Sequence, residues 1–88
     1  MYHFCLYVAG TSDSAQLAIR NVTEICDKYF SDQYQLKIVD VVENPQLAEA
    51  DNILVTPTLI CETSSRQYRI IGNLTRHKNV LDVLGVAC

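Results

Sequence analysis

Four cysteines, two histidines and a cluster of hydroxyl residues near the start are the side chains of this chain that could make or break bonds. Cys5, Cys26, Cys61 and Cys88 stand far apart with no Cys-x-x-Cys pair, so they form neither a dithiol motif nor a zinc-binding spacing. Cys5 and Cys61 fall inside apolar runs and Cys26 on the apolar face of a helix, where a free thiol packs as a small hydrophobe. Cys88 is terminal and expected to be exposed. A thiol becomes nucleophilic at a helix N-terminus, where backbone N–H groups and the helix dipole stabilise the thiolate. The first helix here begins in Thr11-Ser12-Asp13-Ser14, which offers hydroxyls and a carboxylate in place of sulfur. His3 in a strand and His77 in the last helix give no serine a base, and their isolation argues against a metal site. No catalytic residue, metal or cofactor is expected.

The elements that must carry these side chains follow from periodicity. Met1 to Val8 is an almost unbroken apolar and aromatic run, suited to a central strand covered on both faces. After the small-residue loop Ala9 to Ser14, Asp13 with Gln16 resembles a capping box. The apolar positions Ala18, Val22, Ile25, Cys26 and Tyr29 then recur at helical steps, closed by Phe30, with Arg20, Asn21, Glu24, Asp27 and Lys28 on the other side. Tyr34 to Val42 reads as a second strand, parallel to the first through a right-handed crossover. Asn44 caps a second helix with Pro45 at its first position, an inner stripe of Leu47, Ala50 and Leu54, and an end imposed by Pro57. Thr58 to Glu62 is a third strand, Thr63 to Arg66 a hairpin turn, and Gln67 to Ile71 an antiparallel fourth. A last helix spans about Arg76 to Leu84, with Val80, Leu81 and Leu84 inward and Gly85 as its stop.

This order, β-α-β-α-β-β-α, predicts a four-stranded mixed sheet with helices on both faces, the thioredoxin-like topology. Pro57, just before the third strand, is expected to form a cis peptide bond beside the loop that starts the first helix. Eighty-eight residues, 49% of them hydrophobic, make one folded domain spanning 1–88. Seven Lys and Arg against ten Asp and Glu leave no basic stripe, which argues against nucleic acid. No apolar stretch reaches the roughly 18 residues of a membrane span, and no signal segment precedes the first strand, so a cytoplasmic protein away from membranes is expected.

Several stretches together carry a resemblance: Leu6-Tyr7-Val8-Ala9-Gly10, Ile38-Val39-Asp40-Val41, Glu43-Asn44-Pro45-Gln46-Leu47-Ala48-Glu49, Thr56-Pro57-Thr58-Leu59 and Arg69-Ile70-Ile71-Gly72-Asn73-Leu74. From about Phe4 to Leu84 the chain resembles the KaiB family of cyanobacterial circadian clock proteins. The resemblance implies a non-enzymatic protein that binds a KaiC-like ATPase ring and works with KaiA-like and histidine-kinase clock proteins. It also implies two folds for one sequence: a thioredoxin-like monomer that binds partners, and a resting form, usually tetrameric, with a rearranged C-terminal half. Carried over residue by residue, the partner-binding positions are Gly10, Thr11, Ser12, Lys37, Asn52 and Arg69.

The chain departs from the family pattern at Ser64-Ser65-Arg66, where a run of prolines is usual, and at Asn52, Asn73, Val83 and Gly85. Without those prolines a hairpin is easier to form, so the expected resting state is the thioredoxin-like monomer and not the tetramer. The competing reading is a thiol-dependent redox protein of the thioredoxin class.

Overall fold

The computed structural model describes residues 2–31, 33–64 and 66–72. Strand β1 (Tyr2–Val8) is followed by helix α1 (Asp13–Ile25), strand β2 (Tyr34–Asp40), helix α2 (Pro45–Ala50) and strands β3 (Thr58–Glu62) and β4 (Gln67–Ile71). The strands lie in the order β2-β1-β3-β4, with β1 parallel to β2 and antiparallel to β3, and β3 antiparallel to β4. This is the thioredoxin-like arrangement with its mixed sheet. The expected last helix, with Val80, Leu81, Leu84 and Gly85, lies outside the described residues, as do Asn73, His77 and Cys88.

Helix α1 forms because its apolar residues fall on one side, and that side closes one face of the sheet. Ala15, Ala18, Val22, Ile25, Cys26 and Phe30 pack against Phe4, Leu6 and Val8 of β1 and Leu59 and Cys61 of β3. The Phe30 ring lies 4.4 Å from that of Tyr2 and 5.2 Å from that of Phe4. Its cap differs from the expected box: Ser12 is the N-cap, and its hydroxyl accepts the Ala15 N–H at 3.2 Å. Asp13 is instead the first helical residue, where its charge favours the helix dipole. Asn21, expected on the outer side, is buried. After Ile25 the helix widens over Cys26–Phe30, and the Ser31 N–H reaches back five residues to the Cys26 carbonyl. The extra residue in that turn keeps both Cys26 and Phe30 on the core side.

Strand β2 stops at Asp40, two residues short of the apolar run. The Asp40 carboxylate accepts the Val42 N–H at 2.9 Å, an Asx turn that bends the chain out of the sheet.

Helix α2 departs most from expectation. It has six residues, and its buried side chain is Ala48; Leu47 and Ala50 are exposed, and Leu54 is 92% exposed. Pro57 does not end it. Asn52 does, with φ of 55°, in the left-handed region that Asn tolerates. Its N–H bonds the Glu49 carbonyl at 3.1 Å and the Ile53 N–H bonds that of Ala48 at 2.9 Å, the paired closure of a Schellman motif. The reversal turns Ile53 inward and Leu54 outward. Asn44 precedes Pro45 as expected, although its side chain donates to the Asp40 carbonyl and caps nothing in the helix.

The Asn52 conformation yields a stability prediction. Asn52→Gly should leave the urea midpoint nearly unchanged, whereas Asn52→Val should lower stability by about 1 to 2 kcal/mol, because a β-branched side chain clashes at positive φ.

Candidate functional site

Among the described residues, those on the side of the sheet away from α1 cover only half of it. Ala48 and Ile53 sit over Tyr7, Val39 and Ile60. Two rows of paired residues cross all four strands on this side, open except at Ile60 and, in part, Cys5. Register aligns Lys37, Cys5, Ile60 and Arg69 in one row, and Gln35, His3, Glu62 and Gln67 in the next. Lys37, Arg69 and the whole second row are exposed, Cys5 is half-buried and Ile60 is buried. A hollow of about 360 Å³ opens here, lined by residues that include His3, Cys5, Gln35, Lys37, Asp51 and Glu62.

Polar bonds from the sheet hold the end of α2 over this surface. The Tyr7 hydroxyl donates to the Asp51 carboxylate. The Arg69 guanidinium donates to the Asp51 carbonyl and, at 3.3 Å, to the Asn52 carbonyl. A cation at the carbonyl end of a helix both satisfies orphan acceptors and meets the negative pole of the dipole. Arg69 is therefore tied to α2, whereas Lys37 stands at the opposite edge of the row. Three strand spacings separate them, roughly 14 Å.

Gly10, Thr11 and Ser12 lie elsewhere, in the loop at the C-terminal end of β1. Gly10 has φ of 64°, and its N–H donates to the Asp40 carboxylate at 3.0 Å. Thr11 and Ser12 are exposed, the latter occupied as the α1 cap. Pro57 sits at this same end, because Thr58 pairs with Tyr7, and the Thr56–Pro57 bond is cis. The Gly72 N–H closes on the Pro57 carbonyl at 2.9 Å. The structure thus joins Asn52 with Arg69 directly, puts Lys37 on the same row, and sets the Gly10 loop apart at the sheet's end.

Among the described residues the thiols are placed for packing, Cys26 and Cys61 buried and Cys5 half-buried. Burial pushes Cys26 up to about 12, helped by nearby Asp27, and Cys61 up to about 11. Cys5 is raised too, by burial first, partly offset by a hydrogen bond with Tyr7 and the charge of Lys37. A protonated thiol is a poor nucleophile. The Tyr7 hydroxyl is also held well above its ordinary value, by burial first and then by its bond to Asp51. Among the described residues no three His, Cys, Asp or Glu side chains converge as a metal site would need, and no helix is long and apolar enough to cross a membrane.

Pattern reading missed the pairing of Tyr7 with Asp51. Forty-four positions separate them, so no local spacing signals it.

Asp40 joins the Gly10 loop to the end of β2, and its backbone N–H donors, Gly10 first and Val42 second, hold its carboxyl below the usual range. A folded pKa below the unfolded one adds stability that is complete above about pH 4 and is lost as pH falls through the folded value. Urea midpoints of the wild-type chain should therefore drop more steeply below about pH 4 than those of Asp40→Asn, whose amide oxygen accepts the same bonds without titrating.

A family model described as the KaiB domain matches residues 5–86. The chain is 45% identical over 76 residues to the circadian clock protein KaiB3 of Synechocystis sp., covering 86% of this chain and 74% of that protein. It is 44% identical over 80 residues to the circadian clock oscillator protein KaiB of Thermosynechococcus vestitus, covering 91% and 74%. Among solved structures, it superposes on mitochondrial thioredoxin 3 from Saccharomyces cerevisiae with a TM-score of 0.76 at 15% identity, covering 97% of this chain and 78% of that one. The N-terminal domain of Synechococcus elongatus SasA gives a TM-score of 0.76 at 23% identity, covering 96% and 83%. At such identities the structural matches establish the thioredoxin-like fold and nothing finer, whereas a family model that takes in nearly the whole chain, with relatives above two-fifths identity, shows that this chain belongs to the KaiB family of circadian clock proteins.

Proposed function

We propose that the chain is a non-enzymatic, cytoplasmic clock protein, a single domain over residues 1–88 that docks as a thioredoxin-like monomer on a KaiC-like ATPase ring. KaiA-like or histidine-kinase clock proteins are further partners. One observation carries the reading: Lys37 and Arg69, the exposed ends of one row, lie on a face that α2 leaves half open. Charged groups about 14 Å apart on a broad, shallow surface suit a protein interface of roughly 800 Å² per partner better than a small-molecule pocket. Exposed Thr11 and Ser12, with Gly10, form a second contact patch at the sheet's end, apart from this row. Asn52 contributes through its carbonyl, which fixes Arg69.

A pull-down with purified KaiC-like ring protein tests the assignment. Lys37→Glu should weaken capture about tenfold, the effect of one substantial interface contact, and unchanged capture would remove this face from the interface. The monomer is tested by light scattering, where a tetramer mass would contradict it.

The thioredoxin-class alternative is tested by alkylation. Buried, protonated Cys26 and Cys61 should stay unmodified by iodoacetamide in the native chain and react on unfolding, with half-buried Cys5 modified before either of them. Rapid native modification of Cys26 or Cys61 would revive a redox role.

A further inference from the structure

The Tyr7 ring belongs to the small core under α2, with Val39, Ala48 and Ile60, and only 3% of the residue is exposed. A phenylalanine would fill the same space, so the hydroxyl is the part that packing does not explain. Taking a hydroxyl out of water costs free energy unless it finds an acceptor. The acceptor here is the carboxylate of Asp51, the C-cap of α2.

Asp51 is gripped twice. Its carboxylate takes the bond from β1, and its carbonyl takes one from Arg69 on β4, which also donates to the Asn52 carbonyl. Strand β3 lies between β1 and β4, so the end of α2 is tied to two points on the sheet roughly 10 Å apart. A single bond leaves a helix of six residues free to pivot, whereas two on separate strands fix its direction. The two ties also depend on each other. Arg69 is exposed, and the carbonyls that hold its guanidinium stay within reach because the Tyr7 bond keeps Asp51 against the sheet.

We propose that Tyr7 is a positioning residue for docking: through Asp51 its hydroxyl fixes Arg69 and Asn52 in the arrangement that a partner meets. This role rests on the docking reading above. It separates a residue that sets affinity from those that make contact, because so buried a ring offers a partner nothing to touch.

Hydrogen exchange followed by NMR on the full chain reads the tie without any partner. Tyr7→Phe keeps the ring and removes the hydroxyl. The amides of Asp51, Asn52 and Ile53, which bond back to the Leu47, Glu49 and Ala48 carbonyls, should then exchange about tenfold faster, the effect of one lost hydrogen bond, while α1 amides such as that of Val22 keep their rates. Unchanged exchange at the end of α2 would overturn the proposal, and so would equal acceleration in α1, because the hydroxyl would then serve the whole fold. Capture by the ring protein reads the consequence. Tyr7→Phe should weaken it about fivefold, and Asp51→Asn, which keeps an acceptor for the hydroxyl, should be captured better than Asp51→Ala. Tyr7→Phe combined with Arg69→Gln should be no weaker than Arg69→Gln alone, since both loosen the same helix end. Additive losses, or equal loss in the two Asp51 variants, would count against the role. A wild-type chain that the ring does not capture would sink the docking reading and this role with it, whereas normal capture with unchanged α2 exchange removes the role alone.

Discussion

Helix α2 cannot hold itself in place by packing. Six residues with one buried alanine remove little apolar surface from water, a small stabilisation at about 25 cal/mol per Å². Its position rests instead on Tyr7 donating to Asp51, on Arg69 donating to the last carbonyls, and on the Asn52 reversal that brings Ile53 down onto the sheet. Everything on the open face takes its shape from those bonds. They decide how far the row from Lys37 to Arg69 stays uncovered.

The two faces of the sheet divide the work. The side under α1 is dry and packed, with Leu6, Val22, Ile25, Leu59, Cys26 and Cys61 fully buried, and it supplies rigidity. The other side has polar rows, half-buried Cys5 and shallow hollows, and little of it is enclosed. Catalysis needs groups fixed within hydrogen-bond reach of one reacting atom and shielded from water. Here the charges of the described face are spread across four strands, and the Cys26 and Cys61 thiols are held protonated by burial. A rigid sheet with dispersed polar groups is suited to recognising another surface.

Much of this was legible in the chain before the structure. Strands β3 and β4 are bounded as expected, Thr58–Glu62 and Gln67–Ile71, because turn residues and a proline punctuate them on both sides. Helix α1 is long enough for its period to be read reliably, apart from Asn21. Helix α2 is not: two turns give too few positions to fix a phase, and Leu54 looked inward only if the helix continued past Asn52. The early end of β2 is set by one side-chain bond to its own backbone, which hydrophobic periodicity does not register. The shared row of Lys37 and Arg69 appears only once strand register is known. The Tyr7 to Asp51 bond is a tertiary contact with no local signature.

The hairpin that joins β3 to β4 is closed by bonds that depend on its particular residues. The Thr63 N–H donates to the Arg66 carbonyl at 2.8 Å, and the Arg66 N–H donates to the Thr63 hydroxyl at 3.2 Å. A proline at 66 would have no N–H to give, and the side-chain half of the closure would be lost. Beyond the turn, Glu62 and Gln67 face each other across the strands, with the Gln67 amide donating to the Glu62 carboxylate at 3.1 Å. Register then carries Ile60 opposite Arg69, which is what brings the guanidinium under the end of α2. A turn that could not close would free β4 and, with it, the cation that holds the second helix. The Thr63–Arg66 closure therefore acts on the open face through the sheet, from a position that no partner need touch.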